Sequence, residues 1–440
     1  MQHNFIALLT WLLLAVGTNA QTILKSGPML GYVDMREACV WVQTDRPCSL
    51  HVYYWKKNEK DGLITQSPLI VTTQAEENIA HMILACLDPG TTYSYTFDLP
   101  HLFKSPVYEF TTQTLWQYRT DPPAFRVATG SCAYINETEY DRPGEPYGGG
   151  LQIFDTIAAR KPDMMLWLGD NIYLREVDYG SRSGIIHRYN HTRAQPALQK
   201  LLSTCPQYAI WDDHDYGPND ADASYVHKDW TLEAFKMYWA NPSYGIPNTD
   251  CENTIATQFT FVDVDFFLLD NRTNKVVPGI QYTDSSTVLG REQVDWLIQA
   301  LRYSHAPFKL VAIGSQFLNP VAKFENYACY AAERQLILDA IDKNNITGVI
   351  FLTGDRHCAE LSELKLPGGN MVYDLTTSPL TSKAYDNTKE ENTLRVEGTL
   401  VSERNFATLD FSGPLKKRIL TISLWNNNGE LKWKREIEQN

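Results

Sequence analysis

The sequence predicts an α/β protein preceded by an all-β module. Three observations carry this. Behind an apolar leader, about the first hundred residues hold only short alternating runs separated by turns. From Pro123 onward, apolar runs alternate with helical patterns. After six of those runs comes a polar cluster that opens on glycine or aspartate.

The leader comes first. Phe5 to Val16 is an apolar run of signal-peptide length, and Thr18-Asn19-Ala20 offers a small-residue cleavage site before Gln21. Residues 1–20 are therefore expected to be a signal peptide and the chain to be exported, to the periplasm, the medium or the cell surface. His3 is the basic residue of the n-region, so an uncleaved anchor is the alternative. No Cys follows the run, which argues against a lipoprotein. No later segment is apolar enough to cross a bilayer.

Export would permit disulfides among the eight cysteines, at 39, 48, 86, 132, 205, 251, 329 and 358. None of them forms a CxxC pair, which argues against a zinc ribbon or a thioredoxin-like motif.

The all-β module is placed at 21–115. Ala38 to Val42 and Leu50 to Tyr54 are strand-like. Leu87-Asp88-Pro89-Gly90-Thr91-Thr92-Tyr93-Ser94-Tyr95-Thr96-Phe97 is a turn followed by alternating aromatics. Tyr93, Tyr95 and Phe97 share one face because side chains alternate along a strand. This stretch resembles the signature of fibronectin type III-like sandwiches. Thr120-Asp121-Pro122-Pro123 reads as a linker, and the catalytic domain is placed at 122–440.

Beyond the linker the strand runs are Phe125 to Ala128, Met164 to Leu168, Tyr208 to Trp211, Phe266 to Leu269, Leu310 to Ile313 and Val349 to Leu352. Leu151 to Arg160, Glu292 to Tyr303 and Ala331 to Lys343 carry helical periodicity. The tail from Phe406 returns to strands, with Arg418 to Trp425 and Leu431 to Ile437 placed as a hairpin around Asn427-Asn428-Gly429.

The six runs are followed in turn by Gly130-Ser131-Cys132, Gly169-Asp170-Asn171-Ile172-Tyr173, Asp212-Asp213-His214-Asp215, Asp270-Asn271-Arg272, Gly314-Ser315-Gln316 and Gly354-Asp355-Arg356-His357. One Gly-Asp after a strand is usually a turn or a helix cap. A lone Cys132 would usually be an inert buried thiol. Read as the ends of one sheet, six such clusters form a site, because ligands of α/β sheets bind beyond the carboxyl ends of the strands. Several carboxylates brought together repel one another unless a cation joins them.

Carboxylate, phenolate and thiolate together suit a hard trivalent ion better than a Cys/His zinc site. Further carboxylate and amide oxygens suit Ca²⁺ or Mg²⁺. Clusters of this kind hydrolyse phosphate esters: the metals acidify and position a water and neutralise the phosphoryl oxygens. No G-x-S-x-G elbow is present, so Ser131 is not read as a nucleophile. The net charge of −13 argues against nucleic-acid binding, which needs a basic face. It leaves a small phosphorylated substrate or a phosphodiester polymer.

Together these motifs look like the PhoD-like alkaline phosphatases of the calcineurin-like metallophosphoesterases, over nearly the whole chain after the leader. The resemblance implies a four-layer α/β/β/α domain, an iron–calcium centre, and phosphate-ester hydrolysis by metal-bound hydroxide. By motif, Cys132, Asp170 and Tyr173 would bind Fe³⁺, with Asp355 completing or bridging the site. Asp170, Asp355, Asp213 and Asn219 would face Ca²⁺, with Asp212 as the alternative to Asp213. His214 would face the phosphate, Arg356 and His357 would contact ligand or metal, and Arg272 would clamp phosphate. Asp215 stands where the family usually has Glu.

Three alternatives stay open. One is a phospholipase-D-like or teichoic-acid phosphodiesterase, with the loop from Asp141 to Tyr147 and Thr376-Thr377-Ser378-Pro379 as candidate pocket walls. Another is the same enzyme with Mn²⁺ or Zn²⁺. The last is a non-catalytic exported binding protein with a degenerate site.

Overall fold

The computed structural model describes residues 24–59, 63–98, 106–279 and 286–439, and the predicted leader lies outside them. Eight strands come first: β1 (Leu24–Val33), β2 (Ala38–Thr44), β3 (Ser49–Lys56), β4 (Thr65–Gln66), β5 (Ile70–Val71), β6 (Ile79–Leu84), β7 (Thr92–Asp98) and β8 (Tyr108–Thr111). They form a β1-β2-β6 sheet and a β4-β3-β7-β8 sheet, with β5 paired to β3. Leu30, Val40, Val42 and Met82 of the first sheet meet Val52, Tyr95, Phe97 and Phe110 of the second in one core. Tyr93 belongs to the same core, as the alternation of β7 predicts, and its ring stacks on Phe110 at 5.6 Å.

β2 is buried on both faces. Its period of two divides the side chains: Val40 and Val42 fill the module's own core, while Cys39 and Trp41 enter the core of the larger body. Trp41 Nε1 and His81 Nε2 both reach the carbonyl of Met237, each at 2.9 Å. The module is thus docked through buried apolar and hydrogen-bonded contacts.

The larger body contains β9 (Phe125–Gly130), β10 (Met164–Leu168), β11 (Gln207–Ile210), β12 (Thr257–Phe261), β13 (Val264–Leu268), β14 (Phe308–Ala312), β15 (Val349–Thr353), β16 (Glu360–Lys365), β17 (Met371–Thr376), β18 (Asn405–Ser412), β19 (Ile419–Asn426) and β20 (Leu431–Glu438). Its helices are α1 (Gln152–Ala159), α2 (Arg182–Arg193), α3 (Pro196–Thr204), α4 (Asp213–Tyr216), α5 (Lys228–Tyr238), α6 (Arg291–Tyr303) and α7 (Ala331–Lys343).

The reading of the six runs as the ends of one sheet is corrected, while two sheets are what the α/β/β/α resemblance implies. There are two mixed six-stranded sheets, ordered β11-β10-β9-β18-β19-β20 and β12-β13-β14-β15-β17-β16. Three of the runs lie in each. The first three end at β9, whose free edge is taken by the antiparallel strand β18 from the tail. The other three pair in parallel in the second sheet.

Val127, Leu166 and Leu409 share one core with Phe266, Leu310 and Ile350 of the facing sheet. The alternate residues Phe267, Val311 and Phe351 turn outward, onto Leu297 and Leu301 of α6 and Ile337 and Ile341 of α7. A strand apolar on both faces is what a sheet sandwiched between layers requires.

Candidate metal centre

The turns after the parallel strands of both sheets gather at one end of the sandwich. Two glycines permit their contact. A Cβ on Gly314 would lie 2.4 Å from the carboxyl of Asp212 and from Asn271 Nδ2, and one on Gly354 would lie 2.6 Å from Ser131 Oγ. Only a hydrogen fits in either place, so turns from opposite sheets touch. Cys132, Asp170, Asp355 and His357 all have left-handed backbones, with φ of +60°, +51°, +64° and +53°. Non-glycine residues avoid this region, and clustered strain of this kind is typical of functional sites.

These four backbones aim side chains at a common space. Cys132 Sγ is 3.4 Å from Asp170 Oδ2. The Tyr173 hydroxyl donates to the same oxygen at 3.1 Å, and it stands 3.3 Å from His357 Nε2. His357 Nδ1 faces the carbonyl of Lys383. A carbonyl only accepts, so Nδ1 carries the proton and Nε2 presents a lone pair to the site. Ser378 Oγ contacts Cys132 Sγ at 3.1 Å and accepts from the His357 amide at 2.9 Å.

Asp170 has a second set of neighbours. Its Oδ1 accepts from the His214 amide at 3.3 Å. Ligand atoms of Cys132, Asp170 and His357 lie within 4.8 Å of one another, and so do those of Asp170, Asp213 and His214. Asp170 therefore joins two donor groups. Among the described residues, Asp355 falls in neither. It follows β15, and its carboxyl is pushed up to about 6 by burial and then by the charges of Asp212 and Asp213. Asn219 is exposed and lines the cleft beside His214.

The electrostatics are those of a site built around cations. Burial raises Asp170 well above the usual carboxylate range, with Cys132 and Asp213 adding to the effect. Burial also pushes the Cys132 thiol up to about 12 and lowers His214 to about 4, so its ring is neutral near pH 7. Asp212 Oδ2, Asp213 Oδ1 and His214 Nδ1 are buried without a hydrogen-bond partner. Such orphaned groups are costly unless something else satisfies them. Thiol, phenol, imidazole and carboxyl donors converging beside unsatisfied oxygens fit resident metal ions.

Asp212 and Asp213 differ in their surroundings. Asp212 is bound by Arg272 Nε at 2.8 Å and Asn271 Nδ2 at 2.8 Å. Asp213 accepts the Asp220 amide on Oδ2, and its Oδ1, 3.9 Å from Arg272 Nη2, accepts no hydrogen bond. Arg272 is fully buried and spends its donors on Asp212, on Glu325 at 3.0 and 2.7 Å, and on the Ala221 carbonyl. Arg356 likewise reaches Gln316 and Asn326 at 2.9 Å and Glu390 at 2.6 Å.

Residues 127–419 match the family profile of PhoD-like phosphatases. The chain belongs to that family. Residues 21–114 match a domain of unknown function, DUF7800. The chain is 25% identical over 342 residues to alkaline phosphatase D of Bacillus subtilis (strain 168). That stretch covers 67% of this chain and 56% of the relative, so the chain matches little more than half the relative's length.

The fold is that of a solved PhoD structure, with a TM-score of 0.74 at 16% identity over 96% of this chain and 92% of that one. It is also that of the purple acid phosphatase PPD1 from yellow lupin (Lupinus luteus) seeds, with a TM-score of 0.65 at 13% identity over 93% and 74%.

Several residues of this PhoD-like site escaped the sequence reading. Tyr134 packs its ring 5.0 Å from that of Tyr173. Tyr385 also escaped it; its hydroxyl is 3.2 Å from that of Tyr147, the end of the loop read as a candidate pocket wall, and the two rings bracket His357. Arg175 lines the cleft with His214. These aromatics lie on loops with no periodicity. Arg175 follows the Gly-Asp-Asn-Ile-Tyr motif by two residues, and that adjacency was the one available signal. Glu325 and Lys275 form an ion pair behind Asp212, and nothing in their local sequence marks them.

Proposed function

We propose that this chain is an exported, metal-dependent phosphoesterase hydrolysing phosphate monoesters or diesters. One observation carries the reading: Asp170 is shared by a Cys132–His357 group and an Asp213–His214 group. A carboxylate common to two donor sets suits a bridged metal pair. Cys132, Asp170, Tyr173 and His357 would hold Fe³⁺; Asp170, Asp213, Asn219 and Asp355 would hold Ca²⁺. When bound, the metals supply Lewis acidity toward a water and charge neutralisation for the phosphoryl group.

The chain's own residues do the rest. His214 lines the cleft with a neutral ring, its unpaired Nδ1 turned inward, and the Tyr173 ring packs against it at 4.3 Å. Arg272 holds Asp212, and through the adjoining backbone orients Asp213 and His214. Arg356 anchors the Asp355–His357 turn to Gln316, Asn326 and Glu390. In this reading both are positioning residues, whereas the sequence motifs gave Arg272 the part of a phosphate clamp and Arg356 a contact with ligand or metal.

The fold is read as the four-layer sandwich of metallophosphoesterases, which helices on the outer face of both sheets support. The N-terminal module is read as fibronectin type III-like, on its Leu87-to-Phe97 pattern. Export rests on residues 1–20. Among the described residues no helix is long and apolar enough to cross a membrane. A cleft of about 770 Å³ beside His214, far larger than a phosphate, favours a bulky leaving group or a diester.

The test is elemental analysis of purified protein together with a chromogenic monoester and a chromogenic diester. Turnover of either, with Fe and Ca bound, is expected. Absence of metal with no turnover of both substrates refutes the reading.

A further inference from the structure

Four arginines stand at the site or its cleft; Arg142, on the exposed rim, pairs with Glu176 at 2.7 Å, and among the described residues Arg175 is the one placed to meet a substrate. Arg272 and Arg356 are buried and saturated by carboxylates and amides. Arg175 is 6% exposed, yet it lines the cleft with His214, Asn219 and Tyr134. Its Nε donates to the Tyr134 hydroxyl at 3.1 Å, which in turn donates to Asp141 Oδ1 at 2.6 Å. The guanidinium carbon lies 4.7 Å from the Tyr134 ring and 5.4 Å from the Tyr173 ring. Among the described residues its two terminal nitrogens have no hydrogen-bond or ion-pair partner.

The neighbouring carboxylates, Glu176 and the Asp141 behind Tyr134, make no direct ion pair with it, so the terminal nitrogens are left for an anion in the cleft. The backbone holds the group in place. The Leu174 amide bonds to the His214 carbonyl at 3.1 Å, and the Arg175 amide bonds to Asp178 at 2.8 Å. Arg175 therefore moves with the His214 turn. Its positive charge is one of the influences that disfavour protonation of His214, which agrees with their proximity. Glu139 and Glu145, the cleft's other carboxylates beside Asp141, are exposed on the rim loop.

Resting on the phosphoesterase reading above, we infer that Arg175 binds a non-bridging oxygen of the substrate phosphoryl group, on the cleft side of the metal ligands. The planar fork, packed against the edge where the Tyr134 and Tyr173 rings meet, suits an oxyanion better than a lysine would. It makes Arg175 a specificity-determining residue: substrates that keep an anionic oxygen toward the cleft bind, and neutral triesters do not.

The test uses the full, metal-loaded protein with inorganic phosphate as probe, followed by calorimetry and by competitive inhibition of a chromogenic ester. R175A is expected to weaken phosphate binding about 10-fold or more and to lower kcat/KM by about 10²-fold, the usual loss for one charge-stabilising donor, at unchanged metal content. Guanidinium ion at sub-denaturing concentration should restore part of the R175A activity and none in wild type. R175Q, which keeps an amide near Tyr134, should show the same defect.

Wild-type phosphate affinity in both variants overturns the inference, as does loss of metal in step with loss of activity in both. Wild-type protein that binds phosphate through Arg175 but turns over no ester keeps the inference and refutes the catalytic reading. Wild-type protein that binds no phosphate refutes both.

Discussion

Cys132 Sγ and Asp170 Oδ2 stand 3.4 Å apart, although they come from turns after different strands and both have left-handed backbones. Two groups that each gain negative charge on deprotonation are held at contact distance by strained turns. That arrangement resists ionisation on its own and welcomes a cation.

Asp170 is the residue on which both donor groups depend. Asp170→Asn should lose both metals and bring turnover to background, because the amide cannot bridge as a carboxylate does. Asp355→Asn should also lose metal and nearly all phosphatase activity. Elemental analysis beside an ester assay checks both. Normal turnover in either variant is incompatible with the proposed centre.

Tyr173 gives the iron assignment a colour test. A ferric ion bound to a phenolate absorbs visible light, so a concentrated preparation should be coloured. Tyr173→Phe should lose that band while Cys132 and Asp170 remain. A colourless wild-type sample, fully active with Mn²⁺ alone, removes the iron claim.

Arg272 sits between Asp212 and Glu325 with no exposed surface. Arg272→Met leaves the buried Asp212 with Asn271 and no cation in hydrogen-bond contact, while Glu325 keeps Lys275. Breaking a buried pair from one side costs about 3–5 kcal/mol, and urea unfolding should show a loss of that order. A variant as stable as wild type would return Arg272 to the role of phosphate clamp.

His81 links acidity to the module's docking. Burial lowers its pKa, and the bond to the Met237 carbonyl offsets this only in part. The unfolded chain, with a pKa of about 6.5, then takes up a proton more readily than the folded one. Stability is complete above that value and is lost as pH falls from there through the lowered folded pKa. His81→Gln keeps a donor without the titration. Its urea midpoint should fall less steeply as pH drops below about 6.5 than that of wild type. Parallel slopes would show that His81 is not the group responsible.

Much of this was legible in the residues. Met164 to Leu168 became β10 and Ala331 to Lys343 became α7 without change, because each has a clean apolar pattern. α2 was not legible. It buries Arg188 and Arg193 beside Ile185 and Tyr189, so charge sits where periodicity expects apolar groups. In the site, Cys132, Asp170, Tyr173 and His357 were legible because each follows an apolar run. Asp212, Arg175, Tyr147 and Glu325 drew their roles from partners tens or hundreds of residues away.

By itself, the sequence determined the local grammar: which segments are strands, where the polar turns fall, and which donor types they carry. These follow from side-chain alternation and from what glycine and aspartate do at strand ends. Tertiary structure alone decided which runs go to which of the two sheets, that Arg272 is spent on Asp212 and Glu325 instead of the cleft, and that Arg175 faces the cleft. Local propensity carries no information on which distant partner satisfies a buried charge. Packing settles that, because each buried donor and acceptor must find its complement in three dimensions.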